Sequence, residues 1–195
     1  MKIGVDFDGV IIDTERNLKF WADYYSYFKL NGMTRKTGRY TAQEKCFDWN
    51  DEQIKTFYKK YYIGISKNAP FLPGVKEVCE QLKKQGHEIY VITARESNNG
   101  QFDETIYAKR RIKELGFEFD GIYFDVFNKP EKCRELGIDI MVDDGPQNVE
   151  MFAGTEILTL YFKDVQIQNI TAPNIKKIDT WMDIYLEVQK QMKKK

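Results

Sequence analysis

The chain has 195 residues, 42% of them apolar and 31% charged, which is enough for one α/β domain with a sizeable core and an inserted helical piece. Lysine plus arginine equals aspartate plus glutamate at 30 each, so no basic excess points to a nucleic-acid polymer or an anionic membrane as partner. No apolar run approaches the ~18 residues that span a bilayer, Met1 opens a strand rather than a signal peptide, and the dispersed Cys46, Cys79 and Cys133 suggest neither a disulfide framework nor a CxxC metal site, so the expected compartment is the cytoplasm.

Residues 2 to 10 read as a short apolar strand that ends in Asp6 and Asp8, followed by Gly9. Strand side chains at i and i+2 share a face, so the two carboxylates project together. Two close like charges need a cation or a proton to offset them. Asp13-Thr14 then caps a helix whose apolar stripe is Leu18, Trp21, Ala22, Tyr25 and Phe28. Residues 31–41 are a polar loop, a short helical piece is expected around Gln43 to Phe47, and Asn50 or Asp51 starts another helix with Ile54, Phe57, Tyr58, Tyr61 and Ile65 on one face. The stretch 14–68 thus holds helices and aromatic residues but no strand.

Two prolines and a glycine between Asn68 and Gly74 change the pattern. A helix carries Val75, Val78, Cys79 and Leu82, and the strand Glu88 to Thr93 follows. After a polar loop at 95–103 come a helix with Ala108, Ile112 and Leu115, a short strand from Gly121 to Phe124, and a helix from Pro130 to Leu136. The strand Ile138 to Val142, Asp143-Asp144-Gly145, a helix near Asn148 to Phe152 and a strand near Ile157 to Leu160 complete the alternation. The last helix carries Trp181, Ile184, Tyr185, Val188 and Met192. Alternating strands and helices predict an α/β fold, a three-layer doubly wound parallel sheet, with ligands bound beyond the strand C-termini. The boundaries expected are a core of 1–13 and 69–195 and a small all-helical cap, 14–68, inserted after the first strand above that edge.

Four features fall at strand ends: Asp6 with Asp8, Thr93, Lys129 in the loop before Pro130, and Asp143 with Asp144. Each has a bland reading, since acidic pairs end strands and a loop lysine is usually solvated. Their joint occurrence suits phosphoryl transfer through a covalent intermediate. A carboxylate can attack phosphorus, oxygen ligands from Asp6, Asp143 or Asp144 suit Mg2+, Thr93 and Lys129 can meet the phosphate, and Asp8 can carry the proton. The single histidine, His87, lies just before a strand, where a surface or strand-edge role fits better than catalysis.

These residues resemble the haloacid dehalogenase superfamily of phosphohydrolases. Its DxDG[VT] motif is similar to Asp6-Phe7-Asp8-Gly9-Val10, its Thr after an apolar strand to Thr93, its helix-proximal Lys to Lys129, and its acidic pair to Asp143-Asp144. The resemblance spans essentially the whole chain and implies a Rossmann-like core. It also implies that Asp6 is the nucleophile, that Asp8 is the general acid/base, and that Thr93 and Lys129 bind phosphate. Mg2+ would be held by Asp6, the Asp8 main-chain carbonyl and the acidic pair, with Asp143 the first choice for direct ligand and Asp144 the alternative. Dehalogenases of the superfamily lack an Asp at the position of Asp8, and its P-type ATPases carry Thr there, so a phosphatase or phosphomutase is implied.

The Pro-Phe-Leu-Pro-Gly-Val entry and helical cap resemble the 5'(3')-deoxyribonucleotidase-type branch. The expected activity is Mg-dependent hydrolysis of a small-molecule phosphomonoester, a nucleoside monophosphate in the finer reading. Phe47 and Trp49 could stack on a base, or form the cap's own core. The alternatives are a sugar-phosphate phosphatase or phosphomutase, a phosphorylated receiver, whose motif order differs, and a catalytically silent binding protein on the same fold.

Overall fold

The strand β1 (Lys2–Val5) sits at the centre of the sheet, and its side chains alternate between two apolar layers. Ile3 and Val5 are buried on one face. Gly4 lies on the other, where a Cβ would meet Met141 Sδ at 2.8 Å and Ile92 Cδ1 at 3.0 Å. The computed structural model describes residues 1–32, 47–98, 103–162 and 169–193. Cys46, nearly all of the helical piece expected at 43–47, and the middle of the 95–103 loop fall outside them.

β1 pairs with β2 (Glu88–Ile92) on one side and β4 (Ile140–Asp143) on the other, and the sheet extends outward through β3 (Gly121–Tyr123) and through β5 (Leu158–Phe162) to β6 (Ile175–Ile178). The order is β3-β2-β1-β4-β5-β6 and every pairing is parallel. Val5 stands opposite both Val91 and Val142, so the C-terminal ends of β1, β2 and β4 lie side by side. The chain leaves β1 towards β2 in one direction and later towards β4 in the other, which makes this edge the topological switch point.

Period-two alternation builds the layers. Ile3, Val5, Ile89, Val91, Ile140, Val142 and Leu160 pack under the apolar stripes of α4 (Val75–Lys84), α5 (Glu104–Leu115) and α8 (Trp181–Met192). The intervening Tyr90, Ile92 and Met141 face the other way, against Cys133 of α6 (Lys129–Leu136) and Phe152, which follows α7 (Pro146–Met151). The result is the expected three-layer α/β fold with a parallel sheet.

Three helices, α1 (Thr14–Lys29), α2 (Asp51–Phe57) and α3 (Ile63–Asn68), follow β1, and α2 runs into α3 through a π-helical turn at Tyr58–Tyr62. They have their own aromatic core of Leu18, Ala22, Tyr25, Phe47, Trp49, Phe57, Tyr61 and Ile65. The two connections to the sheet are tied together. Asp13 N–H donates to Pro70 O at 2.8 Å, Leu72 N–H to Ile11 O at 3.0 Å, and Ile12 bridges Phe71 antiparallel.

Three details depart from expectation. Phe28 is 66% exposed, because at 3.6 residues per turn it lies about 80° round α1 from Leu18. Lys129 is the first residue of α6 rather than a loop residue, with Asn128 as its N-cap. The Ile-Lys-Lys-Ile strand β6 was unexpected, since it lacks alternation. It is an edge strand, where lysines discourage further pairing, and Lys176 Nζ lies 2.5 Å from Glu187 Oε1. No helix among the described residues is long and apolar enough to cross a membrane.

Trp181 is 1% exposed and donates its indole N–H to Val10 O at 2.7 Å, fastening α8 to the segment just beyond Asp6 and Asp8. Trp181→Phe leaves that carbonyl buried and unsatisfied. It is expected to lower stability by about 1–3 kcal/mol in urea denaturation, whereas an unchanged midpoint would show that the bond contributes nothing.

Candidate active site

Parallel register brings Asp6 and Asp143 level at the ends of neighbouring strands, with Asp6 N–H donating to Val142 O at 2.9 Å. Asp144 follows. One carboxylate oxygen from each of Asp6, Asp143 and Asp144 lies within 4.8 Å of the others, and all three residues are buried. Lys129 enters from the start of α6 and is itself 1% exposed. Its ammonium lies 3.0 Å from Asp6 Oδ2 and 2.5 Å from Asp143 Oδ2.

The acidic pair divides by hydrogen bonding. Asp143 is fully buried and its oxygens are engaged: Oδ2 accepts from Lys129, while Oδ1 accepts the Gly145 N–H at 2.8 Å and the Asn148 side chain at 3.1 Å. Among the described residues no hydrogen bond reaches the Asp144 carboxylate. That carboxylate lies against Gly9, whose φ is +68°, and a Cβ built on Gly9 would fall 1.9 Å from Asp144 Oδ2. Glycine is therefore required here for both conformation and approach. Of the two candidate direct ligands, Asp143 is committed to protein donors and Asp144 is the open carboxylate.

The charges do not balance within the cluster. Burial pushes the Asp6 carboxyl up to about 7 against the pull of Lys129, with Asp143 and Asp8 adding to the rise. Burial likewise holds Asp144 well above the usual carboxylate range, with Glu15, Asp143 and Asp6 adding. Lys129 stays charged, because the attraction of Asp143 and Asp6 outweighs the cost of its burial. Buried oxygen donors in carboxylate excess fit a hard divalent cation.

Asp8 faces a different environment. Its side chain is 28% exposed and makes a two-pronged ion pair with Arg95, Nε to Oδ2 and Nη2 to Oδ1, both at 2.8 Å. Burial alone would raise Asp8, but the guanidinium outweighs it and the carboxyl stays below the usual range. Thr93, 2% exposed, lies beside this pair: its Oγ1 accepts the Arg95 N–H at 3.3 Å. From the helical segment, Tyr62 comes close enough to feel Asp8, Arg95 and Glu104.

Hydrogen bonds and ion pairs thus join Asp6, Lys129 and Asp143, with Asp144 beside them, and join Asp8 and Thr93 through Arg95. The other two candidates are placed differently. Phe47 and Trp49 are 5% and 8% exposed and stack on each other at 4.6 Å. Trp49 also meets Tyr25 and Phe57 and donates its N–H to Ser26 Oγ at 2.9 Å. Both rings thus pack within the aromatic core of the helical segment. His87 is buried at the opposite end of β2 from Thr93, with Nδ1 3.2 Å from the amino terminus. Sequence reasoning missed Arg95, Glu15 and Asn148. The available signal for Arg95 was its i+2 spacing from Thr93, which in extended backbone puts both on one face.

A sequence profile of the family described as "5' nucleotidase, deoxy (Pyrimidine), cytosolic type C protein" matches residues 1–192. A Bacillus cereus relative named "Putative nucleotidase" is 27% identical over 206 residues, covering 98% of this chain and 100% of the relative. A Chlorobaculum tepidum relative named "Putative 5'(3')-deoxyribonucleotidase" is 23% identical over 192 residues, covering 94% and 87% of the two chains. In fold, the chain is similar to a solved haloacid dehalogenase-like hydrolase of Streptococcus pneumoniae, with a TM-score of 0.66 at 18% identity over 96% of this chain and 98% of that one.

Gly9→Ala puts a side chain into the Asp144 carboxylate and strains a left-handed residue. The expected result is a folded protein whose phosphate-ester turnover falls about a hundredfold, the scale of a displacement near 1 Å at a reacting site. Turnover at the parent rate would show that the contact does not position Asp144.

Proposed function

The chain belongs to the family of deoxy (pyrimidine) cytosolic type C 5' nucleotidases, and on that premise we propose that it hydrolyses nucleoside monophosphates through an aspartyl-phosphate formed on Asp6. It is a phosphoric monoester hydrolase of the haloacid dehalogenase type. The single observation that carries the aspartyl-phosphate chemistry is the Asp6–Asp143–Asp144 cluster with Lys129 between two of its members, and the family match supports the nucleoside monophosphate as substrate.

Asp6, Asp144 and the main-chain carbonyl of Asp8 would hold Mg2+, whose charge would offset that of the phosphate and of the cluster. Asp6 attacks phosphorus as the ester bond breaks, and the leaving oxygen takes its proton from Asp8. The partly exposed Asp8 carboxylate is ionised beside Arg95 at rest and is protonated by the water of the preceding cycle or by solvent. Water then attacks the phosphorylated Asp6, Asp8 takes the proton, and inorganic phosphate leaves. Lys129 keeps Asp6 and Asp143 in place, and it and Thr93 meet the phosphate oxygens.

Residues 1–13 and 69–195 act as the core and 14–68 as the cap. The closeness of Tyr62 to Asp8 and Arg95 supports a cap that covers the site and excludes water during attack. We assign the enzyme to the cytoplasm, an assignment supported by the free, buried thiols of Cys79 and Cys133.

Asp6→Asn is expected to keep the fold and to lose turnover on the order of a thousandfold or more, as loss of a nucleophile does. A chelator should stop the parent enzyme, and Mg2+ should restore it. In a panel with Asp6→Asn as blank, kcat/KM should favour nucleoside monophosphates over sugar phosphates by at least about tenfold; equal rates would sink the nucleotidase reading.

The acidic pair should also separate. Asp144→Asn is expected to raise the Mg2+ concentration for half activation by at least the roughly 10–100-fold typical of losing even a supporting partner. Asp143→Asn should instead lower thermal stability, by about 1–3 kcal/mol, because the Lys129 ammonium and the Gly145 N–H lose a charged acceptor while Asp6 still pairs with Lys129. The reverse pattern would restore Asp143 as direct ligand.

A further inference from the structure

Arg95 is 3% exposed, and two of its three nitrogens are spent on one carboxylate. The planar fork engages both oxygens of Asp8, which fixes the carboxylate in rotation as well as in distance. The guanidinium rests on the Phe7 ring, 4.7 Å from its centroid, so the segment from Asp6 to Asp8 supplies both the acceptor and the surface on which the arginine lies. Thr14, the first residue of α1, gives Asp8 a further hydrogen bond and accepts the Gly9 N–H at 3.0 Å.

This is a poor arrangement for stability alone. A buried ion pair seldom outperforms apolar packing, and Arg95 Nη1 is buried with no hydrogen-bond partner among the described residues. What the arrangement does accomplish is to hold one carboxylate in a single orientation beside the nucleophile.

We propose that Arg95 is the positioning residue of the hydrolytic half-reaction: its fork holds the Asp8 carboxylate in the orientation from which it takes a proton from the attacking water. The proposal rests on the reading of Asp6 as nucleophile and Asp8 as proton carrier. In this step a bond forms between the water oxygen and phosphorus. The bond from phosphorus to Asp6 breaks, and its electron pair returns to the Asp6 carboxylate. One proton of the water passes to Asp8, and inorganic phosphate leaves. Arg95 touches neither water nor phosphate in this role and acts through Asp8.

The test uses p-nitrophenyl phosphate, whose leaving group departs without protonation, so that only the second half-reaction needs Asp8. In rapid mixing with Mg2+, Arg95→Met is expected to release one equivalent of nitrophenolate at the parent's first-turnover rate. Its steady state should then fall about a hundredfold, with phosphate trapped on the protein by acid quench. Arg95→Lys keeps the charge without the fork and should behave in the same way; it carries the test if Arg95→Met does not fold. A steady state at the parent rate in Arg95→Lys would overturn the proposal, and so would equal slowing of both phases.

Asp8→Asn should show the same burst, and the double variant Asp8→Asn with Arg95→Met should turn over no more slowly than Asp8→Asn. A further loss in the double variant would show that Arg95 works by another route and would overturn the proposal. Absence of burst and trapped phosphate in Asp8→Asn would instead sink the underlying reading of Asp6 and Asp8, whatever the arginine variants do.

Discussion

The site depends on one ammonium group. Lys129 Nζ stands between Asp6 and Asp143, which parallel pairing forces level at the ends of β1 and β4. Without that charge, two buried carboxylates on adjacent strands would repel each other in a medium that screens them poorly. With it, Asp143 is anchored and becomes part of the frame, and Asp6 is held but not saturated. Asp144 then adds negative charge to two carboxylates that one lysine already serves. The fold thus tolerates an acidic cluster whose excess charge a proton or a further cation offsets.

The sheet explains why these groups meet. β1 lies between β2 and β4, so whatever follows each of the three strands shares one edge. The helical segment is inserted immediately after β1, with its two connections hydrogen-bonded side by side, and Tyr62 comes near the Asp8–Arg95 pair. The same geometry separates two kinds of carboxylate. Asp6 faces Lys129 and the acidic pair, whereas Asp8, two residues on, is turned to a guanidinium. Two aspartates of equal chemistry thereby become suited to different tasks.

Much of this was legible in the residues alone. Apolar runs ending in Asp, Thr and Asp-Asp marked β1, β2 and β4 and their shared edge, because buried parallel strands leave a strong and simple signal. Where the pattern was weak the reading stopped: β6 is a charged edge strand of Ile-Lys-Lys-Ile, and the π-helical turn at Tyr58–Tyr62 has the same apolar spacing as the helices around it. Pairwise details were not legible either. Nothing in Asp143-Asp144 shows that Gly145 and Asn148 would occupy the first carboxylate and leave the second open. Phe47 and Trp49 could have faced a base or each other, and only packing decides that they face each other.

The most direct measurement is acid quench of the wild-type enzyme during turnover of a nucleoside monophosphate with Mg2+, followed by mass spectrometry of its peptides. A phosphoryl group on the peptide that contains Asp6, absent when substrate is omitted and located to Asp6 by fragmentation, is the result this account predicts. Sustained turnover with no protein-bound phosphate at any quench time, or a phosphoryl group on Asp8 or Asp144, would contradict it.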